Sequence, residues 1–345
     1  MTTRLLLRTG AQIGVVSLAA VVGAAQSRWS PPRTAWGDPD LQGVWTSDDM
    51  RGVPLQRQDE YGDRLYLTDE EYAKRVAQND QARTAELNRV GAFRNDVGTR
   101  TFRQTSIVVD PPNGKIPAMT PEGQRRAAAV ARMRAQRPSS WEDRSLYDRC
   151  ITRGVVGSTL PVIYGNGNRI VQAPGYVAIS YEMVHDTRII PLDRRPHLGS
   201  SIRQYLGDAR GHFEGDTLVV ETTNFTDKTG TGLNGGGVPH SDGMRLAERF
   251  TRVDANTIQY EATIDDPKTY TRPWKVALPL TTQPGYQIFP YECHEGNHAL
   301  ADILSAARSE DKAVEEAIRK GLPLPTSVWQ GNFGAVAAAQ AEAER

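Results

Sequence analysis

Net charge is the first thing this sequence lacks. The 345 residues carry 41 Lys and Arg against 41 Asp and Glu, so the formal net charge is +0. Affinity for nucleic acid comes largely from neutralising phosphates, so a neutral chain with dispersed arginines argues against that partner. The same balance argues against a polybasic membrane-surface protein. Cysteine is nearly absent: Cys150 and Cys293 are the only two. That excludes a zinc ribbon, a knottin-like scaffold and a cysteine-ligated iron–sulfur cluster. A mean hydropathy of −0.51 excludes a multi-span membrane protein. At this length a sizeable core forms without any disulfide framework.

What is present begins with an address. Residues 1–8 form a short basic region, and residues 9–25 are small and apolar. Small residues near Gly23 to Ala25 suit cleavage, so residues 1–26 are expected to be a secretory signal peptide. An uncleaved anchor is the alternative, although the run is short and weak for a membrane span. No stable span is expected after cleavage, and the chain is expected to be periplasmic or secreted. Export puts both cysteines in an oxidising compartment. A Cys150–Cys293 disulfide and two separate buried thiols are both open.

Residues 27–160 read as an extended and helical segment, with a first strand at 41–46. Thr68, followed by Glu70 and Glu71, predicts a helix to about Asn88. Thr120 before Pro121 predicts a second helix to about Arg134. From Pro161 the pattern becomes short and alternating. In residues 176–183, Val177, Ile179, Tyr181 and Met183 share one face, and Ala178, Ser180 and Glu182 the other. Further strands are expected at 169–173, 187–192, 207–213, 217–225, 244–253, 257–264 and 272–280, with 286–291 as the last. Eight to ten strands joined by turns indicate an antiparallel meander over residues 161–292. Such a sheet must hide its edges, so an up-and-down barrel with helical additions is expected, a two-sheet sandwich being the alternative. Residues 293–345 are expected to hold a helix from His294 to Lys320 and a frayed tail. The stretch 229–243 contains six glycines and reads as a mobile lid or a disordered loop.

Several motifs together carry a resemblance: Cys150-Ile-Thr-Arg153-Gly, Glu182 to Asp193 with its His185-Asp186-Thr-Arg188 core, Glu214 to Phe225, and Cys293-His-Glu-Gly-Asn297. They cover most of the mature chain. It resembles a group of exported proteins of soil and marine bacteria, and the resemblance implies no particular activity. It implies Tyr as a frequent residue at the position of His298. More weakly, Gly43-Val44-Trp45 on a first strand is similar to the Gly-x-Trp signature of lipocalin-like barrels. That likeness implies a cup with an interior ligand site.

Three constellations carry the candidate chemistry. His294-Glu295-Gly296-Asn297-His298 is a literal H-E-x-x-H, which on a helix binds zinc through His294 and His298. Glu315 or Glu316 lies at the distance of a third ligand. Gly296 and Asn297 form helices poorly, which argues against that reading. Without metal, His294 and Glu295 form an acid–base pair, and Asn297 orients a substrate oxygen. Glu182, His185, Asp186 and Arg188 form the third group, with His185 a base at a barrel rim and Arg188 polarising an oxygen. Tyr181 and Trp274 are expected to line a ligand cavity. The expectation is a metal-free isomerase, lyase, hydratase or cyclase acting on a small, partly apolar molecule through His294, Glu295, His185 and Glu182. No cofactor is expected, zinc being the alternative. Two other readings stand beside it: a non-catalytic periplasmic binding protein and a zinc-dependent hydrolase.

Overall fold

The structure is a computed structural model that describes residues 29–90, 98–237, 239–289, 291–327 and 329. The expected signal peptide and the alanine-rich tail lie outside the described residues. Ten strands form one sheet. They are β1 (Gly43–Thr46), β2 (Val108–Asp110), β3 (Gly167–Ala173), β4 (Tyr176–Tyr181), β5 (Thr187–Pro191), β6 (Asp208–Glu214), β7 (Thr217–Thr223), β8 (Arg245–Asp254), β9 (Thr257–Asp265) and β10 (Trp274–Thr281). The path runs β5-β4-β3-β1-β10-β9-β8-β7-β6, and every paired neighbour is antiparallel.

The two ends of this path meet. A Cβ added at Gly211 of β6 would stand 2.8 Å from both Ile190 and Leu192 beside β5, so the sheet closes into a nearly complete, lipocalin-like barrel. Nine strands in a ring cannot alternate in direction throughout. Following the directions round, β5 and β6 point the same way, and no ladder joins them. The connection 192–207 therefore has to run back along the barrel. It is pinned by Asp208, which accepts hydrogen bonds from the Leu198 amide at 2.8 Å and from His197 Nδ1 at 3.1 Å. Strand β10 solves a second edge problem: β1 covers it at Thr281 and β2 covers it at Val276 and Lys275.

The inside of the barrel is a packed core. Trp45, Ile170, Ile179, Tyr260, Trp274 and Leu278 are all at most 1% exposed and belong to one cluster. The alternation predicted in β4 holds, with Val177, Ile179 and Tyr181 buried. Burying these side chains from both sheet halves supplies the main stabilisation, about 25 cal/mol per Å² of apolar surface. The cup with an interior ligand site is thus corrected: side chains fill it.

Helix α1 (Asp69–Val90) starts where expected. Thr68 and Glu71 exchange hydrogen bonds as a capping box, Thr68 N to Glu71 Oε2 at 2.8 Å and Glu71 N to Thr68 Oγ1 at 3.3 Å. Helix α2 (Pro121–Ala135) is capped by Thr120, and Gly123 packs on the Thr269 carbonyl. The short α3 (Val155–Thr159) is wholly buried. Helix α4 (Ala299–Lys320) starts five residues later than expected and lies outside the barrel, where Arg308 Nη2 donates to the Pro138 carbonyl at 2.7 Å. The strand expected at 286–291 is not formed among its described residues. Gly285 and the turn before it redirect the chain there.

Candidate functional site

One end of the barrel collects the polar motifs. The ends of β4, β7 and β9 and the starts of β3, β5, β6, β8 and β10 lie there. Cys150 and Cys293 are joined by a disulfide, with Cα atoms 5.6 Å apart. It holds the segment after Tyr291 against the segment before α3. Asn297 Nδ2 donates to Cys150 Sγ at 3.1 Å.

At this end the unpaired seam between β5 and β6 opens into a cleft of about 730 Å³. Ile151, Ile189 and Leu206 give it an apolar wall. Asp186, Arg203, Lys228 and Thr226 give it polar groups. Lys228 has no carboxylate partner among the described residues. The Thr226 hydroxyl is buried and lacks a hydrogen-bond partner. Arg188 also lines the cleft and forms its inner limit.

Asp186 stands at the end of a strained turn. Val184 and His185 both adopt positive φ, 67° and 45°. A β-branched residue rarely does so, and such strain persists only where the surroundings enforce it. Here Met183 and Val184 are buried, and His185 Nδ1 donates to the Tyr291 carbonyl at 2.9 Å. Burial pushes the Asp186 carboxyl above its usual range. A hydrogen bond from Thr152, one from the Thr187 amide, and the charges of His185 and Arg188 oppose that shift. The result is a half-buried carboxyl, held in place and able to exchange a proton.

Behind the cleft lies a buried ion pair. Arg188 Nη2 donates to Glu248 Oε2 at 2.7 Å and Nη1 to Oε1 at 3.0 Å, with both side chains at most 2% exposed. Tyr260 Oη donates to Glu248 Oε1 at 3.0 Å, and Arg188 reaches Tyr181 Oη at 3.2 Å and Thr222 Oγ1 at 3.3 Å. Burial acts most strongly, to lower the Arg188 pKa, but the charges of Glu248 and Tyr181 and the hydrogen bonds to both together outweigh it and hold the guanidinium above its ordinary value. Burial beside the same carboxylate raises the Tyr260 phenol well above its usual value. Glu248 had a sequence signal. It sits between Leu246 and Phe250 on the inward face of β8, a charge on an apolar stripe.

The other expected residues are distributed differently. His294, Glu295 and Asn297 lie exposed in the loop before α4. Gly296 there has φ of 64°, and His298 is the residue before the first turn of α4. The H-E-x-x-H run is therefore not helical, and His294 and His298 do not share a helix face. Among the described residues no group of three or more His, Cys, Asp and Glu side chains is arranged to hold a metal. Glu182 lies at the end of β4, where its Oε2 accepts hydrogen bonds from the Gly167 amide at 3.0 Å and from Tyr286 Oη. His185 is exposed beside Asp186. Tyr181 and Trp274 are core residues, 2% and 0% exposed.

The glycine-rich stretch is docked, which corrects its reading as a disordered loop. Its Gly235 lies against Gly157 of α3, where an added Cβ would be 2.2 Å from the Gly235 nitrogen. Gly157→Ala is therefore expected to cost about 1–3 kcal/mol, because two backbones collide and no rotamer relieves it. A lowered urea midpoint and faster proteolysis within residues 230–237 are the readouts. An unchanged midpoint would contradict the close packing.

Comparison with protein-family models, with curated proteins and with solved structures finds no match.

Proposed function

We propose that the chain is an exported enzyme of the isomerase, lyase, hydratase or cyclase type. It uses acid–base chemistry on a small, partly apolar molecule bound in the seam cleft. The observation that carries this reading is the half-buried Asp186 carboxyl, held by a strained turn at the mouth of a cleft with an apolar wall. Asp186 takes a proton from carbon beside a substrate carbonyl and returns it elsewhere. Lys228 and the Thr226 hydroxyl stabilise the oxygen on which negative charge develops. Arg188, held by Glu248, keeps positive charge behind the site. This moves the expected base from His294 or His185 to Asp186. Export is supported by the disulfide and by the pattern of residues 1–26. Among the described residues no helix is long and apolar enough to cross a membrane.

The test is α-proton exchange of small cyclic ketones in deuterated water, followed by NMR. The protein accelerates exchange, and Asp186→Asn reduces it about 10²–10⁴-fold. A carboxylate is a base only when ionised, so the rate rises with pH, with a midpoint above the ordinary Asp value of 3.8. Thr152→Val removes a hydrogen bond that favours the ionised form, and moves that midpoint further up. Exchange unaffected by Asp186→Asn refutes the reading. Tight binding of a ketone without exchange assigns the chain to the binding-protein class instead.

A further inference from the structure

Beside the seam cleft is a second cavity, of about 370 Å³. The two share Lys228. This cavity concentrates positive charge in a chain that is neutral overall. Arg134, Arg144, Arg149 and Lys228 line it, against Glu142 and Asp227. Arg134, Arg149 and Lys228 have no carboxylate partner among the described residues, and Arg149 stacks 4.4 Å from the Trp141 ring. The docked glycine-rich loop forms the opposite wall through Gly230, Gly235 and Gly237. Asn234 on the same wall has a buried Oδ1 with no hydrogen-bond partner.

Thr229 opens that loop and lines the cavity. Its Oγ1 lies 2.6 Å from His240 Nε2. His240 Nδ1 lies 3.1 Å from the Ser241 carbonyl, which can only accept, so Nδ1 carries the proton and Nε2 is the acceptor. Thr229 therefore donates its hydroxyl hydrogen to a neutral imidazole. Burial lowers the His240 pKa, which keeps the ring neutral near pH 7. Ser241 is itself clamped: its amide and its hydroxyl each reach Asp266 at 2.6 Å. Asp266 is 1% exposed. A hydroxyl on the wall of a cationic cavity, a buried base behind it and a group that orients the base are the parts of a nucleophilic acyl-transfer site.

We infer that Thr229 is the nucleophile of a second site, which hydrolyses esters whose acyl part carries a carboxylate. Thr229 Oγ1 attacks the ester carbonyl as His240 Nε2 takes its proton. The carbon–oxygen bond to the leaving alcohol breaks, and His240 returns the proton to that alcohol. Water then attacks the acyl-Thr229 ester with His240 again as base, releasing the acid and restoring the hydroxyl. Arg134, Arg149 and Lys228 hold the distal carboxylate, which selects anionic over neutral acyl groups.

The test uses the 4-nitrophenyl monoester of succinate and the neutral 4-nitrophenyl propionate. Nitrophenolate release is followed by absorbance, and the acylated protein is mapped by peptide mass spectrometry. The expected result is acylation at Thr229, about tenfold or more faster for the anionic ester. Thr229→Ser keeps the label and Thr229→Val abolishes it, so loss in the valine variant is not a folding effect. Paired Arg134→Gln and Arg149→Gln substitutions lower the anionic-to-neutral ratio. No adduct at Thr229 with either ester overturns the inference, as does a label that persists in Thr229→Val. Equal rates for the two esters overturn the assigned substrate class.

Discussion

Replacing Arg188 with methionine is expected to cost about 3–5 kcal/mol of stability, because it leaves the Glu248 carboxylate buried without its counter-charge. Glu248 is 0% exposed, and among the described residues the Tyr260 hydroxyl is the one other group that hydrogen-bonds to it. One phenol cannot replace a bidentate guanidinium. The sharper expectation concerns the double variant Arg188→Met with Glu248→Leu. Removing both charges removes the desolvation penalty together with the attraction, so most of the lost stability returns. Full recovery is not expected, since Tyr181 and Thr222 lose Arg188 as a partner as well. Urea unfolding midpoints of wild type, both single variants and the double variant measure the coupling. A loss in the double variant equal to the sum of the two single losses would mean that the pair contributes no coupling.

The strands were legible because their faces alternate with period two, and buried and exposed positions then follow from composition alone. Residues 257–264 illustrate this: Ile258, Tyr260, Ala262 and Ile264 all point inward. Helix starts were legible for a different reason. Thr68 and Thr120 are short acceptors placed before helix formers, and their hydrogen bonds are local. Ring closure was expected from the need to hide edges, but the seam was not. The parallel relation of β5 and β6 depends on β1 entering between β3 and β10, a contact more than a hundred residues away in sequence. Nothing within either strand encodes it. Tyr286 to Tyr291 was expected as the last strand, yet its described residues pair with no strand of the sheet.

The site was legible only in part, because function here depends on which long-range neighbour each polar residue meets. The group at His185, Asp186 and Arg188 was singled out from its position at a strand end. What the sequence could not convey is that Arg188 turns inward to Glu248 while Asp186 faces the cleft. The pair His294 and Glu295 drew attention by spacing, but Gly296 in a left-handed conformation keeps the run out of a helix. His240 and Thr229 went unnoticed since they lie eleven positions apart across glycine-rich chain. Their pairing exists only because that chain folds back, with the His240 amide donating to the Thr229 carbonyl at 3.2 Å. A lone histidine closing a glycine-rich loop was the available signal.

Removing the disulfide by Cys150→Ala with Cys293→Ala is expected to destabilise the chain by about 5 kcal/mol at most. This is the loop-closure entropy for cysteines 143 residues apart. The effect should also have a place. Every barrel strand is held by its own ladder, and α4 stays docked through Arg308 on the Pro138 and Ser139 carbonyls. Only the segment between β10 and α4 depends on the bridge. Without it, the Tyr291 carbonyl no longer has a fixed position opposite His185, and the strained turn that presents Asp186 loses a support. Amide hydrogen exchange should therefore rise first in residues 183–186 and 291–298, ahead of β7 to β10. Proton-exchange activity in the cleft should fall with it, while the Thr229–His240 bond, which involves neither segment, should persist. Uniform loosening of the whole barrel would contradict this assignment. The bridge would then act on the unfolded chain alone, without positioning Asp186.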